Sequence, residues 1–145
     1  MTVDGQYPTG FQIKSKNTDG TDPTVEYFRK GSAASHLSTA DFNRDYFGAA
    51  RHLHLSGVAA ALSGQSLELS HFAAHEMRAM GKTISFDPNL RPVLWSSQQV
   101  MIEQLNKLAF AADWVLPGLK RGKSSPASQR RKALPTSIWS AACRR

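Results

Sequence analysis

The sequence predicts an α/β fold: a mostly parallel sheet flanked by helices, with a separate β-hairpin outside it. Two observations carry this prediction. Over residues 52–116, short apolar segments alternate with longer segments of helical period. Strands separated by helices of that length pair in parallel through right-handed crossovers. Over residues 10–29, two short strand patterns flank a cluster of turn-forming residues, which is typical of an antiparallel hairpin.

The hairpin comes first along the chain. Apolar and polar residues alternate over 10–14, and the segment 24–29 is rich in residues that favour strands. Between them, the segment 17–23 contains Asp19-Gly20, in which glycine supplies a positive φ. We therefore expect a lid-like hairpin over about 9–29.

A short connecting region follows the hairpin. Residues 32–37 are small and loosely helical. Ser38 and Asp41 have the spacing of a capping box, with aspartate in place of glutamate. We expect a short helix through Asp45 and Phe47.

The alternating strands and helices begin after this region. Helical spacing of apolar residues ends at Gly81, where glycine favours a helix C-terminus. The predicted strands are 52–57, 83–86 and 114–116, and the first of them has the pattern of a buried strand. The predicted helices are 66–80 and 97–112.

Composition narrows the class of protein. The chain has 145 residues, 41% of them hydrophobic, which suits one modest globular core. Because Cys143 is the single cysteine, the sequence excludes a disulfide framework and a cysteine-based metal site. No apolar run approaches the roughly 20 residues of a membrane span, and residues 1–7 carry no signal-peptide pattern. We expect a cytoplasmic protein with no membrane partner.

The positive charge is confined to one segment. The net charge is +7, yet residues 1–119 hold ten basic and eleven acidic side chains. Residues 120–145 hold eight basic side chains and no acidic one. We therefore place a boundary near Leu119 and expect 120–145 to be a disordered basic tail. Nucleic-acid binding by this tail is the alternative function of a different class.

One polar turn follows the predicted strand 83–86 directly. Parallel sheets bind ligands at the carboxyl ends of their strands. The segment Asp87-Pro88-Asn89-Leu90-Arg91-Pro92 displays a carboxylate, an amide and a guanidinium there, and its two prolines stiffen it. Arg91 could hold a carboxylate or phosphate by two parallel hydrogen bonds. Alternatively, Asp87 and Asn89 only cap the turn and Arg91 pairs with a surface acid.

A second motif ends the hairpin. Tyr27-Phe28-Arg29 brings an aromatic face and a planar cation together, a mixture that suits a sugar acid. The alternative is an ordinary strand with a solvated arginine.

Two histidine pairs have spacings that could present imidazoles to a metal. His52 and His54 alternate on one strand, and His71 and His75 lie four apart on a helix. Neither pair has evident acidic or cysteine ligands to complete it, so we assign no metal site.

Several segments, taken in order, carry a family resemblance. From about Tyr7 to Leu119 the chain resembles the PfkB (ribokinase-like) carbohydrate kinases, and among them those that act on 2-keto-3-deoxy sugar acids. The aromatic-aromatic-Arg segment and the Asp-Pro-Asn-x-Arg segment with the following Trp95 are the more specific parts. The matching segments are 8–10, 26–29, 31–34, 53–57, 85–95 and 112–119.

The resemblance implies a partial ribokinase-like fold and an activity. That activity is ATP-dependent transfer of the γ-phosphoryl group to the primary hydroxyl of a 2-keto-3-deoxy sugar acid, with Mg²⁺ as a further cofactor. It also implies that the hairpin is a lid over the sugar acid. The predicted substrate-binding residues are Tyr27, Phe28, Arg29, Asp87, Asn89 and Arg91.

The sequence offers no catalytic residue. In the family the base is an aspartate in a Gly-Ala-Gly-Asp turn, and this turn does not occur in the 145 residues. Arg29 and Arg91 cannot replace it, because a guanidinium is not a base at neutral pH. We therefore expect an interior piece of a kinase that is itself inactive and binds ATP and Mg²⁺ poorly.

Two further hypotheses concern the ends of the family match. Read in a frame displaced by one base, the codons for 120–128 can encode the Glu-Gly and Leu-Thr-Gly that follow Pro-Gly-Leu in the family. This would make 120–145 the product of a frameshift near Lys120. The exposed edge of the hairpin predicts, in addition, a homo-oligomer or a pairing with an intact kinase through the lid.

Overall fold

The structure, a computed structural model, describes residues 3–18, 20–21 and 23–116. Its strands are β1 (Phe11–Lys14), β2 (Val25–Phe28), β3 (His52–Ser56), β4 (Thr83–Asp87) and β5 (Trp114–Val115). Its α-helices are α1 (Arg44–Gly48), α2 (Gly57–Ala60), α3 (Gly64–Ala79) and α4 (Gln98–Ala111). Short 3-10 helices cover Ala33–His36, Thr39–Asp41 and Pro92–Leu94. The predicted tail 120–145 lies outside the described residues.

The hairpin forms as the sequence predicts. β1 and β2 pair antiparallel, with Phe11 opposite Phe28 and Gln12 opposite Tyr27. Gly20 in the turn has a φ of +77°, a conformation that glycine adopts without strain. Because side chains alternate along a strand, the hairpin has one face with Gln12 and Tyr27 and another with the two phenylalanines.

The remaining strands form a parallel sheet in the order β3-β4-β5, connected through α3 and α4. This confirms the α/β prediction, with the hairpin as a separate sheet. Ile84 and Phe86 of the central strand are fully buried against the helices. Met77 of α3 and Leu105 and Leu108 of α4 fill the same core. The core therefore lies on one face of the sheet and fixes the carboxyl ends of β3 and β4.

The prediction that β3 is a buried strand is wrong. β3 is at the edge of the described sheet, and His52 and His54 are exposed on the face away from α3 and α4. His52 Nε2 and His54 Nδ1 each lie 2.8 Å from Ser85 Oγ on β4. Polar side chains alternate with Leu53 and Leu55, so only one face of this strand enters the core.

The helix ends follow their sequence signals. Ser63 caps α3 by accepting a hydrogen bond from Ser66 N at 3.1 Å, and Gly81 beyond its end has a φ of +71°. Ser38 N donates to Asp41 Oδ2 at 2.9 Å, as the predicted capping box requires. No helix of the described part of the chain is long and apolar enough to cross a membrane.

Candidate functional site

An open cleft of about 1480 Å³ lies between the hairpin and the carboxyl ends of β3 and β4. Gln12, Tyr27 and Arg29 line it from the hairpin side. Asn89 and Arg91, from the turn after β4, line it from the sheet side. The fold thus brings together two motifs that are about 60 residues apart in the sequence, on opposite walls of one cavity.

Two contacts hold the Arg29 side chain on the hairpin side of the cleft. The Arg29 guanidinium carbon lies 4.7 Å from the centroid of the Tyr27 ring, which is a cation–π arrangement. Arg29 Nη2 also donates to Gln12 Oε1 at 3.1 Å. Gln12 was not among the sequence-predicted site residues. Its position opposite Tyr27 in the hairpin register places it on the same face, and the alternation over 10–14 was the available signal.

Phe28 lies on the other face of the hairpin. Its ring stacks on Phe11 with centroids 4.7 Å apart, and it lines a smaller cavity of about 280 Å³ at the hairpin base instead of the large cleft. Neighbouring residues of a strand point to opposite faces, so Tyr27 and Phe28 cannot both face the cleft. Phe28 thus lies outside the large cleft, and its role in substrate binding stays a prediction.

The sheet wall begins with a capped turn. Asp87 Oδ1 accepts a hydrogen bond from Asn89 N at 2.9 Å, so this carboxylate supports the turn and does not line the cleft. Asn89 has a φ of +36°, in the left-handed region that asparagine tolerates better than most residues. Asp87 therefore has the capping geometry, and the half-buried Asn89 lines the cleft.

Arg91 connects the two walls. Its Nη1 donates to the Leu90 carbonyl oxygen at 2.7 Å, and its Nε approaches Tyr27 Oη at 3.4 Å. No acid of the described residues forms an ion pair with it. Arg29 therefore lies over the face of the Tyr27 ring and Arg91 lies near its hydroxyl, and this arrangement of two cations can receive an anionic group.

The two acids that line the cleft form no ion pair with Arg29 or Arg91. Asp4 lines the cleft, but its Oδ1 accepts from Gln6 N at 2.8 Å and Tyr7 N at 3.1 Å. Asp41 also lines the cleft and caps its own 3-10 helix. Both carboxylates are held by local backbone amides, so the arginines remain available to a ligand.

Gly57 determines the position of the sheet side of the cleft. It begins α2 directly after β3, and a Cβ at this position would lie 2.1 Å from the Pro88 carbonyl oxygen and 2.9 Å from Leu105 Cδ2. Only glycine allows this approach of α2 to the Asp-Pro-Asn-x-Arg turn. This role of Gly57 could not be predicted from the sequence, because a single glycine after a strand has no pattern that distinguishes close packing from a turn.

The described residues contain no group of three histidine, cysteine or acidic side chains placed to hold a metal ion. We derive no step through the Mg²⁺ that the family resemblance implies.

Comparison with known proteins decides the family. Residues 1–120 match the family described as pfkB family carbohydrate kinase. The chain belongs to the PfkB family. The fold, with its hairpin outside a parallel sheet, agrees with this membership.

The relatives of this chain include two kinds of sugar kinase. The chain is 50% identical over 116 residues to the 2-dehydro-3-deoxygluconokinase of Bacillus subtilis (strain 168), covering 80% of this chain and 36% of the relative. It is 31% identical over 116 residues to the fructokinase of Salmonella typhimurium, covering 79% of this chain and 36% of the relative. The chain thus spans about a third of the length of these curated relatives.

A solved structure supports the same fold. The PfkB protein from Polaromonas sp. JS666 superposes with a TM-score of 0.75 at 51% identity, over 79% of this chain and 38% of that chain. The described part of this chain therefore has the architecture of a portion of a PfkB kinase.

Proposed function

We propose that this chain supplies the sugar-acid-binding part of a kinase that phosphorylates a 2-keto-3-deoxy sugar acid with ATP. One observation carries the proposal: Arg29, over the face of the Tyr27 ring, and Arg91, near its hydroxyl, line a single cleft, and neither forms an ion pair with an acid of the described residues. The 50% identity to a 2-dehydro-3-deoxygluconokinase supports the same substrate class.

The chemistry of the substrate explains the choice of arginine. A sugar-acid carboxylate is planar, and a guanidinium can bind it through two parallel hydrogen bonds. The Tyr27 ring restricts Arg29, so less side-chain freedom is lost when the ligand binds. A neutral sugar such as fructose offers no carboxylate. The two arginines therefore favour a sugar acid over the substrate named for the fructokinase relative.

The proposal separates binding from phosphoryl transfer. ATP supplies the transferred phosphoryl group in this family. The sugar-acid hydroxyl that accepts this group must lose a proton to a base. Arg29 and Arg91 cannot act as that base, although their charge can stabilise an anion in the cleft. We expect the 145-residue chain to bind the sugar acid without producing ADP. ADP release that depends on both substrates would contradict this expectation.

Calorimetric titration of the chain with 2-keto-3-deoxygluconate and with fructose tests the proposed specificity. We expect binding of the sugar acid and at least tenfold weaker binding of fructose. Arg29→Lys and Arg91→Lys should each weaken sugar-acid binding about tenfold, since lysine cannot form the paired hydrogen bonds.

Arg44→Lys is the matched control. Arg44 forms an ion pair with Glu76 and does not line the cleft, so this change should leave the affinity for the sugar acid unchanged. Equal binding of fructose and sugar acid, or equal affinity of all three lysine variants, would show that the cleft does not recognise a carboxylate.

We further propose that two copies pair through the hairpin. Phe11 and Phe28 stack on the face away from the cleft and remain 56% and 46% exposed, and Ile13 beside them is 55% exposed. A two-stranded sheet has free edges and is marginally stable alone, so a second hairpin could cover this face.

Sedimentation of Phe28→Glu tests this pairing. We expect the variant to be monomeric at concentrations at which the unaltered chain is dimeric. Phe110→Glu, at an exposed aromatic of α4, is the control and should retain the dimer. A monomeric unaltered chain would refute pairing through the hairpin.

A further inference from the structure

Ser32, at the base of the hairpin, carries a buried hydroxyl without a partner. The residue is 2% exposed, and its Oγ has no hydrogen bond to any residue that the structure describes. Ser32 nevertheless lines the large cleft, next to the wall that carries Tyr27 and Arg29. Buried polar side chains are bonded in the great majority of cases, so an unbonded one at a cleft wall requires an explanation.

The backbone of Ser32 is held firmly. Ser32 N donates to the Arg29 carbonyl oxygen at 3.2 Å, which ties the residue to the end of the cation-bearing strand. Its own carbonyl oxygen accepts from Ser35 N at 2.9 Å and from Ser35 Oγ at 2.7 Å. The main-chain groups of Ser32 are therefore satisfied, and only the side-chain oxygen is left over.

Gly10 explains why the hydroxyl is enclosed. A Cβ at position 10 would lie 3.1 Å from Ser32 Cβ and 3.2 Å from Ser32 Oγ, so the bare glycine backbone covers the serine. This wall contributes no acceptor to the hydroxyl. Rotation about the serine Cα–Cβ bond, among its three staggered positions, redirects Oγ without moving the fixed backbone.

We propose that Ser32 is a binding residue for the sugar acid, whose oxygen accepts the hydrogen bond that the Ser32 hydroxyl does not form with any of the described residues. The inference rests on the proposed function, because the ligand is the one that Arg29 and Arg91 receive. Ser32 N is hydrogen-bonded to the Arg29 carbonyl oxygen, so Ser32 lies next to the backbone of the residue proposed to receive the carboxylate. Ser32 thereby adds a directional contact to the charge supplied by the arginines.

This role makes opposite predictions for stability and binding. An unbonded buried hydroxyl loses its water contacts on folding and regains nothing, so its removal should not destabilise the unliganded chain. The same removal should weaken ligand binding, because a hydrogen bond made only in the complex is lost. A hydroxyl with a purely structural role would show the reverse pattern.

Ser32→Ala is compared with Ser35→Ala, since both serines are buried in the same short segment. Thermal unfolding without ligand should show an unchanged or higher Tm for Ser32→Ala and a lower Tm for Ser35→Ala, which loses the hydrogen bond to Ser32 O. Titration with 2-keto-3-deoxygluconate should show affinity about five- to tenfold weaker for Ser32→Ala and within twofold of the unaltered chain for Ser35→Ala.

The outcomes separate this inference from the proposed function. If the unaltered chain binds the sugar acid and Ser32→Ala binds it equally well, the role of Ser32 is overturned and the proposed function stands. If Ser32→Ala lowers the Tm or fails to fold, the hydroxyl is structural and the role is likewise overturned. If the folded, unaltered chain does not bind the sugar acid, both are overturned.

Discussion

Replacement of Gly57 by alanine tests whether close packing sets the position of the cleft wall. The new Cβ would lie 2.1 Å from the Pro88 carbonyl oxygen, well inside the roughly 3.5 Å of a favourable heavy-atom contact. Because the blocking atom is backbone, α2 or the turn must move by about 1 Å. Overpacking of this kind costs about 1–3 kcal/mol, and alanine in a helix returns at most about 1 kcal/mol.

We therefore expect Gly57→Ala to lower the free energy of unfolding by about 2 kcal/mol, measured by urea denaturation. For a chain of this size the Tm should fall by about 8 °C. Sugar-acid affinity should fall as well, because the displaced turn carries Asn89 and Arg91. Both effects have one cause, so they should appear together.

Gly64→Ala is the matched control for this experiment. Gly64 is the first residue of α3, has no positive φ, and a Cβ there would meet nothing within 4 Å. Its replacement should leave stability unchanged or raise it by about 0.5 kcal/mol. If Gly57→Ala were as stable as Gly64→Ala, the close approach of α2 to the turn would not be a constraint on the fold.

Three further changes follow from single contacts. The hydrogen bond from Arg78 lowers the pKa of Asp113 below its usual 3.8, so its stabilisation is present above about pH 4 and is lost as the pH falls through the folded-state pKa. Denaturation at pH 6 and pH 3 should show this loss, and Asp113→Asn should reduce it. Ser63→Ala removes the cap of α3 and should lower the free energy of unfolding by about 1 kcal/mol in urea. Tyr27→Phe removes only the long contact to Arg91 Nε, so titration should show sugar-acid affinity reduced no more than about threefold.

The local elements could be predicted because their signals are local. The hairpin strands, the α3 stop at Gly81 and the parallel strands β4 and β5 all depend on alternation, helical spacing or glycine chemistry within a few residues. α2 has only four residues, Gly57–Ala60, which is too short to show a helical period. The type of a secondary-structure element was therefore predictable where a sequence pattern repeats. It was not predictable for α2, whose single helical turn depends on tertiary packing.

The burial of β3 shows a different limit. The segment His52-Leu53-His54-Leu55 alternates strictly, which indicates one buried face, and the prediction of a buried strand did not take this alternation into account. The same rule separates Tyr27 from Phe28. The period of two along a strand assigns His52 and His54 to one face of β3, and it places Tyr27 and Phe28 on opposite faces of the hairpin.

The meeting of Arg29 and Arg91 could not be derived from periodicity at all. Tyr27 and Arg91 approach each other across 64 residues of sequence, and no local pattern determines a contact of that range. The family resemblance supplied the expectation that both segments serve one ligand, and the cleft supplies the geometry in which they can. What neither provides is the base that activates the hydroxyl, since a guanidinium is not a base at neutral pH. The two arginines can hold an anion in place, and the reaction itself requires a residue of a different kind.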